Sequence, residues 1–115
     1  MYHSKTESSE RLNKVVITRW QAANVPSLEQ MKMMFQVEGH EFRLETYPGN
    51  SEIKEHRHPF DEIRMVASGT LRVNVSGTQL LLRAGDRVEI PSNTKHSTRV
   101  EGDEPVVSIY ANRLS

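Results

Sequence analysis

The chain is cut into short pieces: no run of apolar residues is longer than three, and Gly, Pro, Asn and Ser interrupt the sequence at close intervals. A chain punctuated in this way builds short strands joined by turns, so it reads as an all-β domain. The clearest unit is a hairpin. Leu71, Val73 and Val75 alternate with polar residues, Ser76 and Gly77 form a two-residue connection, and Leu80 and Leu82 lie on the returning arm. A glycine in such a connection suits the twisted turns that hairpins prefer. Further strands are expected at 14–20, 32–37, 41–47, 62–67, 87–90, 97–100 and 105–111. Residues 24–30 are ambiguous, because Ser27 and Gln30 have the spacing of a capping box and could start a helical turn. No helix of three turns or more is expected. So many short strands in 115 residues must close up or stack, since one open sheet leaves an apolar face in water. A double-sheet jelly roll meets that requirement.

Composition narrows the partners. Fifteen basic and fifteen acidic side chains cancel, so no strong field draws the chain to nucleic acid or to an anionic membrane. No apolar stretch is long enough to span a bilayer, and the polar start MYHSKTESSERL does not read as a signal peptide. The absence of cysteine rules out disulfides and thiolate ligands alike. The expectation is a cytoplasmic protein that acts on a small molecule and binds neither nucleic acid nor membrane. Residues 1–12 read as a flexible N-terminal arm and residues 13–115 as a single domain.

The chemistry is concentrated in the run HRHPFDE, residues 56–62, and in His96. On a strand, His56 and His58 project from the same face with Cβ atoms about 6–7 Å apart, close enough for both imidazoles to reach one ion. Glu62 keeps the same parity and adds a carboxylate that offsets part of a divalent charge. His96 completes the set only if a second strand folds across the first. Three neutral imidazoles and one carboxylate leave two positions vacant on an octahedral ion, which is how a reactive site is built. A His-x-His pair by itself also arises from alternating polar residues on an exposed strand, so the surrounding residues decide.

Those surroundings resemble the cupin superfamily. Its first motif is met by Gly49, six residues, His56-Arg57-His58, three residues, Glu62, six residues and Gly69. The second is met by Gly85, five residues, Pro91-Ser92-Asn93, two residues, His96, three residues and Val100. Three positions depart from the pattern. The spacer after Gly49 is one residue longer, Asn93 replaces a glycine, and Val100 replaces a terminal Asn that is not a ligand. Asn tolerates positive φ better than most residues, so the turn at Asn93 is expected to survive. The resemblance implies a double-stranded β-helix or jelly-roll barrel. It also implies one divalent transition metal (Fe, Mn, Ni or Zn) on His56, His58, Glu62 and His96, and commonly a dimer.

Two further expectations follow from parity along the strand that carries Glu62. Arg64 should point inward with it, where a guanidinium beside an ion would grip an anionic or polyoxygenated substrate. Ile63, Met65 and Ala67 should then face outward as an apolar stripe needing cover, which reads as a homodimer interface. Tyr47 and Tyr110 lie on strands that can line a cavity, and Asp86 is expected to fix a turn. The functions compatible with this set are a mononuclear metal-dependent enzyme of dioxygenase, isomerase or lyase type, or a cupin that binds or senses a sugar or acid without turning it over. A storage role asks for none of the four ligands.

Overall fold

The computed structural model describes residues 7–12 and 14–114. Among the described residues the order is β1 (Glu7–Leu12), β2 (Val15–Trp20), α1 (Leu28–Val37), β3 (Phe42–Tyr47), β4 (Glu52–His56), β5 (Asp61–Ser68), β6 (Leu71–Val75), β7 (Thr78–Leu82), β8 (Arg87–Ile90), β9 (His96–Val100) and β10 (Val106–Arg113). The strands form a six-stranded sheet, β1-β2-β8-β5-β10-β3, and a four-stranded sheet, β4-β9-β6-β7. Every pairing is antiparallel. The chain passes from one sheet to the other at β3–β4, β4–β5, β5–β6, β7–β8, β8–β9 and β9–β10, which makes the architecture a jelly-roll β-barrel.

The β6–β7 hairpin forms at the expected place. Ser76 and Gly77 take φ of 51° and 80°, positive at both central positions as the tight twisted turn requires. Alternation then turns Leu71, Val73, Val75, Leu80 and Leu82 toward the opposite sheet, where they meet Val15, Ile17, Val66, Val88 and Ile90 in the main core. Each such side chain contributes about 1.5–3 kcal/mol by leaving water. Gly49 closes a tighter approach. A Cβ there would lie 2.0 Å from the carbonyl oxygen of Asp103, so only glycine lets the turn after β3 pass the turn before β10.

Two expectations are corrected. Residues 32–37, read as a strand, belong to α1. The Ser27–Gln30 capping box is fully formed, with the Ser27 side chain accepting from the Gln30 N–H and the Gln30 side chain accepting from the Ser27 N–H. Leu28, Met31, Met34 and Phe35 then recur at helical spacing on one face. The second correction concerns the arm expected over residues 1–12. Glu7–Leu12 pairs with Val15–Trp20 as an edge strand, while residues 1–6 lie outside the described residues.

The helix also answers the apolar stripe on β5. Ile63 and Met65 do face outward, as parity requires, yet they are buried: Met31 and Phe35 of α1 pack on them together with Ile109 and Ala111 of β10, with Ala67 at the margin. The cover expected from a second subunit is supplied by the chain's own helix. Phe35→Ala removes the largest side chain of this second core and is expected to cost about 3–5 kcal/mol, read from urea unfolding. Val37→Ala, on the solvent side of the same helix at 85% exposure, should change stability by less than about 0.5 kcal/mol. A Phe35→Ala loss below about 1 kcal/mol would mean that the helix does not seal β5.

Candidate metal centre

His56 reaches the barrel interior through an irregularity in the β4–β9 ladder. Ile53 pairs with Thr98 and His56 with His96, so three steps along β4 match two along β9. Over three residues strict alternation would turn His56 to the outside; the bulge absorbs the odd residue and brings His56 onto the face of buried His96 and Thr98. His58 is not on a strand. It sits in the crossing between β4 and β5, two residues past His56. β4 is an edge strand. The crossing is tied to the one before β9 by Asn93, whose N–H donates to the His58 carbonyl at 2.7 Å. Asn93 has φ of 60°, so asparagine does fill the motif's glycine position with the turn intact.

The three imidazoles converge. Ring centroids are 5.1 Å apart for His56–His58, 4.4 Å for His56–His96 and 4.9 Å for His58–His96. One nitrogen from each lies within 4.8 Å of the others. The Nδ1 atoms of His56 and His96 lie 2.8 and 2.9 Å from the carbonyl oxygens of Lys54 and Thr94, which assigns their protons to Nδ1 and leaves Nε2 as the free lone pair. Among the described residues, the Nε2 of His96 is buried with no hydrogen-bond partner. Phe60 stacks on His58 at 4.5 Å with 4° between the planes and fixes that ring's tilt.

Glu62 lies at the edge of the cluster. Its Oε1 is 3.2 Å from His58 Nε2 and 3.4 Å from His96 Nε2, the second too long for a good hydrogen bond but a close charge contact. Its Oε2 accepts from Arg64 Nε at 2.9 Å. Burial alone would raise the Glu62 carboxyl, but His96 and the Arg64 guanidinium prevail and bring its pKa down to about 2. His96 is held above the ordinary imidazole value: burial opposes its charge, and Glu62 with the Thr94 carbonyl outweighs that. His58 is held below it, by burial first and by the neighbouring His96 and His56, against Glu62. One carboxylate and three converging imidazoles have the chemistry to hold one divalent ion, and the unpartnered Nε2 of His96 would be one of its donors.

Arg64 does point inward and is 4% exposed. It is already engaged, pairing with Glu62, with Glu45 Oε1 at 2.9 Å and with Ser108 Oγ at 2.7 Å. Its guanidinium lies over the rings of Tyr110 and Tyr47, at 4.6 and 5.3 Å. Two carboxylates answer its charge. Tyr47 donates to Glu45 Oε1 at 2.9 Å; burial, with Glu45 and Glu62, pushes its phenol up to about 12 against the pull of Arg64. Both tyrosines therefore line the interior as packing around Arg64. Asp86 fixes its turn, accepting from the Arg83 and Trp20 N–H groups and from Arg19. Sequence reasoning missed Glu45 and Ser108. Each lies two residues from a tyrosine named as able to line the cavity, Tyr47 or Tyr110, so strand parity was the signal that could have found them, and the β5–β10–β3 register places them beside Arg64.

The family model described as Cupin domain matches residues 42–111. Over 61 residues the chain is 33% identical to the acireductone dioxygenase of Bacillus licheniformis, a match taking in 49% of this chain and 34% of that protein. Over 57 residues it is 39% identical to the nitrosourea synthase of Streptomyces achromogenes subsp. streptozoticus, taking in 49% of this chain and 12% of that one. The chain thus spans a minor part of each of these relatives. Among solved structures it is similar to the DMSP lyase DddQ from Ruegeria pomeroyi, with a TM-score of 0.58 and 27% identity over 63% of this chain and 36% of that one.

The depressed Glu62 carboxyl has a consequence of definite sign. Its folded value of about 2 lies below the ordinary 4.5, so the folded state binds that proton less readily than the unfolded chain does. The stability it contributes is complete above about pH 4.5 and drains away as the pH falls toward about 2. Urea midpoints of metal-free protein are expected to drop through that window, and Glu62→Gln to flatten the drop. An equally steep fall in the variant would assign the acid sensitivity to other groups.

Proposed function

The chain belongs to the cupin-domain family, and from that premise we propose that it is a mononuclear metal-dependent enzyme acting on a small anionic or oxygen-rich substrate. His56, His58, His96 and Glu62 would hold the ion. The observation that carries this reading is the buried, unpartnered Nε2 of His96 facing two further imidazoles within 4.8 Å. A polar nitrogen sealed from water without a partner costs on the order of 1–3 kcal/mol, and a bound cation removes that cost.

A divalent ion in such a site supplies Lewis-acid polarisation of a substrate oxygen and, if it is iron, access to dioxygen chemistry. The protein's part is to set the donors beforehand. The Lys54 and Thr94 carbonyls fix which imidazole nitrogen points inward, Phe60 fixes the tilt of His58, and the Asn93 N–H holds the two ligand-bearing crossings together. His56 and His58 are partly exposed while His96 and Glu62 are buried, so a substrate would approach from the histidine-pair side. Of the relatives matched, one is named a dioxygenase and one a lyase, and both reaction types are compatible with three imidazoles and one carboxylate.

Protein purified without added metal is expected to carry about one transition-metal ion per chain on elemental analysis, and His96→Ala to lower its affinity by at least about 10-fold. Reloading the stripped protein separately with Fe(II), Mn(II), Ni(II) and Zn(II), and following small acids and polyols for oxygen uptake or for product, then tests turnover. Equal metal content in wild type and His96→Ala would remove the basis of the proposal. Metal binding without turnover of any compound would leave a binding protein instead.

A further inference from the structure

We propose that Arg64 is a positioning residue: by holding Oε2 of Glu62 it leaves only Oε1 to face the ion, so that the carboxylate binds through one oxygen. The inference rests on the metal-centre reading above and deepens it. The two oxygens of Glu62 are already divided between two neighbourhoods. Oε2 accepts from Arg64 Nε at 2.9 Å, whereas Oε1 lies 3.2 Å from His58 Nε2 and 3.4 Å from His96 Nε2. A charge-assisted hydrogen bond of that length holds the carboxylate against rotation.

Arg64 holds Glu62 firmly only if it is itself held, and three adjacent strands do this. On the inner face β5 pairs Arg64 with Tyr110 of β10, and β10 pairs Ser108 with Glu45 of β3. Ser108 Oγ at 2.7 Å and Glu45 Oε1 at 2.9 Å both engage Nη1. The guanidinium lies over the Tyr110 and Tyr47 rings, and Tyr47 in turn donates to Glu45. The side chain is 5% exposed, so water does not compete for it. Glu45 and Ser108 thus act on the metal centre without touching it. With one carboxylate oxygen and three imidazoles, an octahedral ion keeps two positions for substrate; a carboxylate bound through both oxygens would leave one.

Co(II) titration of the full chain tests this through two readouts, affinity by competition with a chelator and the visible absorption of bound Co(II), whose intensity responds to coordination number. Wild type is expected to bind Co(II) and His96→Ala to lose it. Arg64→Met is expected to unfold cooperatively yet bind Co(II) about 10- to 100-fold more weakly, with a changed visible spectrum. Arg64→Lys, which can still offer one charged N–H to Oε2, should recover part of both, and Ser108→Ala should weaken binding by a smaller factor. Affinities within twofold of wild type and superimposable spectra for Arg64→Met and Ser108→Ala would reduce Arg64 to a structural ion pair and overturn the proposal. If Arg64→Met does not fold, Arg64→Lys and Ser108→Ala decide by the same two readouts. Wild type that binds no Co(II), or binding that survives His96→Ala, would overturn the metal centre itself and this proposal with it.

Discussion

A carboxylate taken out of water keeps its charge only if the protein replaces the water, and the effective penalty otherwise runs to several kcal/mol. Glu62, 3% exposed, meets that demand with a guanidinium on one oxygen and, when they carry a proton, two imidazoles beside the other. Much of the barrel's interior follows from this. Arg64 must lie inside to serve Glu62, and a buried arginine needs its own acceptors, so Glu45 and Ser108 are drawn in as well. The space between the sheets therefore divides in two. An apolar region runs from β2 and β8 across to β6 and β7, and a charged region lies where β5, β10 and β3 carry Glu62, Arg64, Ser108 and Glu45.

Strand β5 joins this charged region to the rest of the molecule. Its inner face carries Glu62 and Arg64, and its outer face carries Ile63 and Met65, sealed by Met31 and Phe35 of the helix. Both faces are buried, one among charges and one among hydrocarbon. The helix thus does for β5 what a neighbouring layer does for any two-faced strand: it makes the outer face dry, so the register that aims the inner face cannot slip without exposing apolar surface.

How far the sequence reveals this differs from residue to residue. The hairpin at Ser76-Gly77, the strand parity of β5 and the convergence of His96 on the HRHPFDE run are legible, because alternation, turn chemistry and motif spacing are local signals. The helix was harder. Its capping box is visible at Ser27 and Gln30, yet MKMMFQV carries apolar residues dense enough to suit either period, and only packing on Ile63 and Met65 selects the helical one. Strand β3 misleads in another way. Phe42 and Leu44 are its apolar face, but Phe42 packs against the helix cluster and Leu44 is 43% exposed, while the polar face with Glu45 turns inward. Hydrophobicity assigns the inside of a strand correctly only where the inside is apolar, and beside Arg64 it is not. The partners of Arg64 come from non-local pairing, which no single stretch of sequence encodes.

The extra residue in β4 gives the fold an unusual freedom. Were β4 to lose its bulge and pair regularly with β9 beyond Ile53, with its length unchanged, the core hydrocarbon would be nearly untouched while the first imidazole turned out to solvent. Affinity for an ion and the persistence of the barrel therefore hang on separate features of the chain, and descendants of such a sequence can shed the one by a single small step while keeping the other. A scaffold wired in this manner is easily emptied of its chemistry and just as easily recruited again, since restoring a ligand needs a shift of register rather than a new architecture.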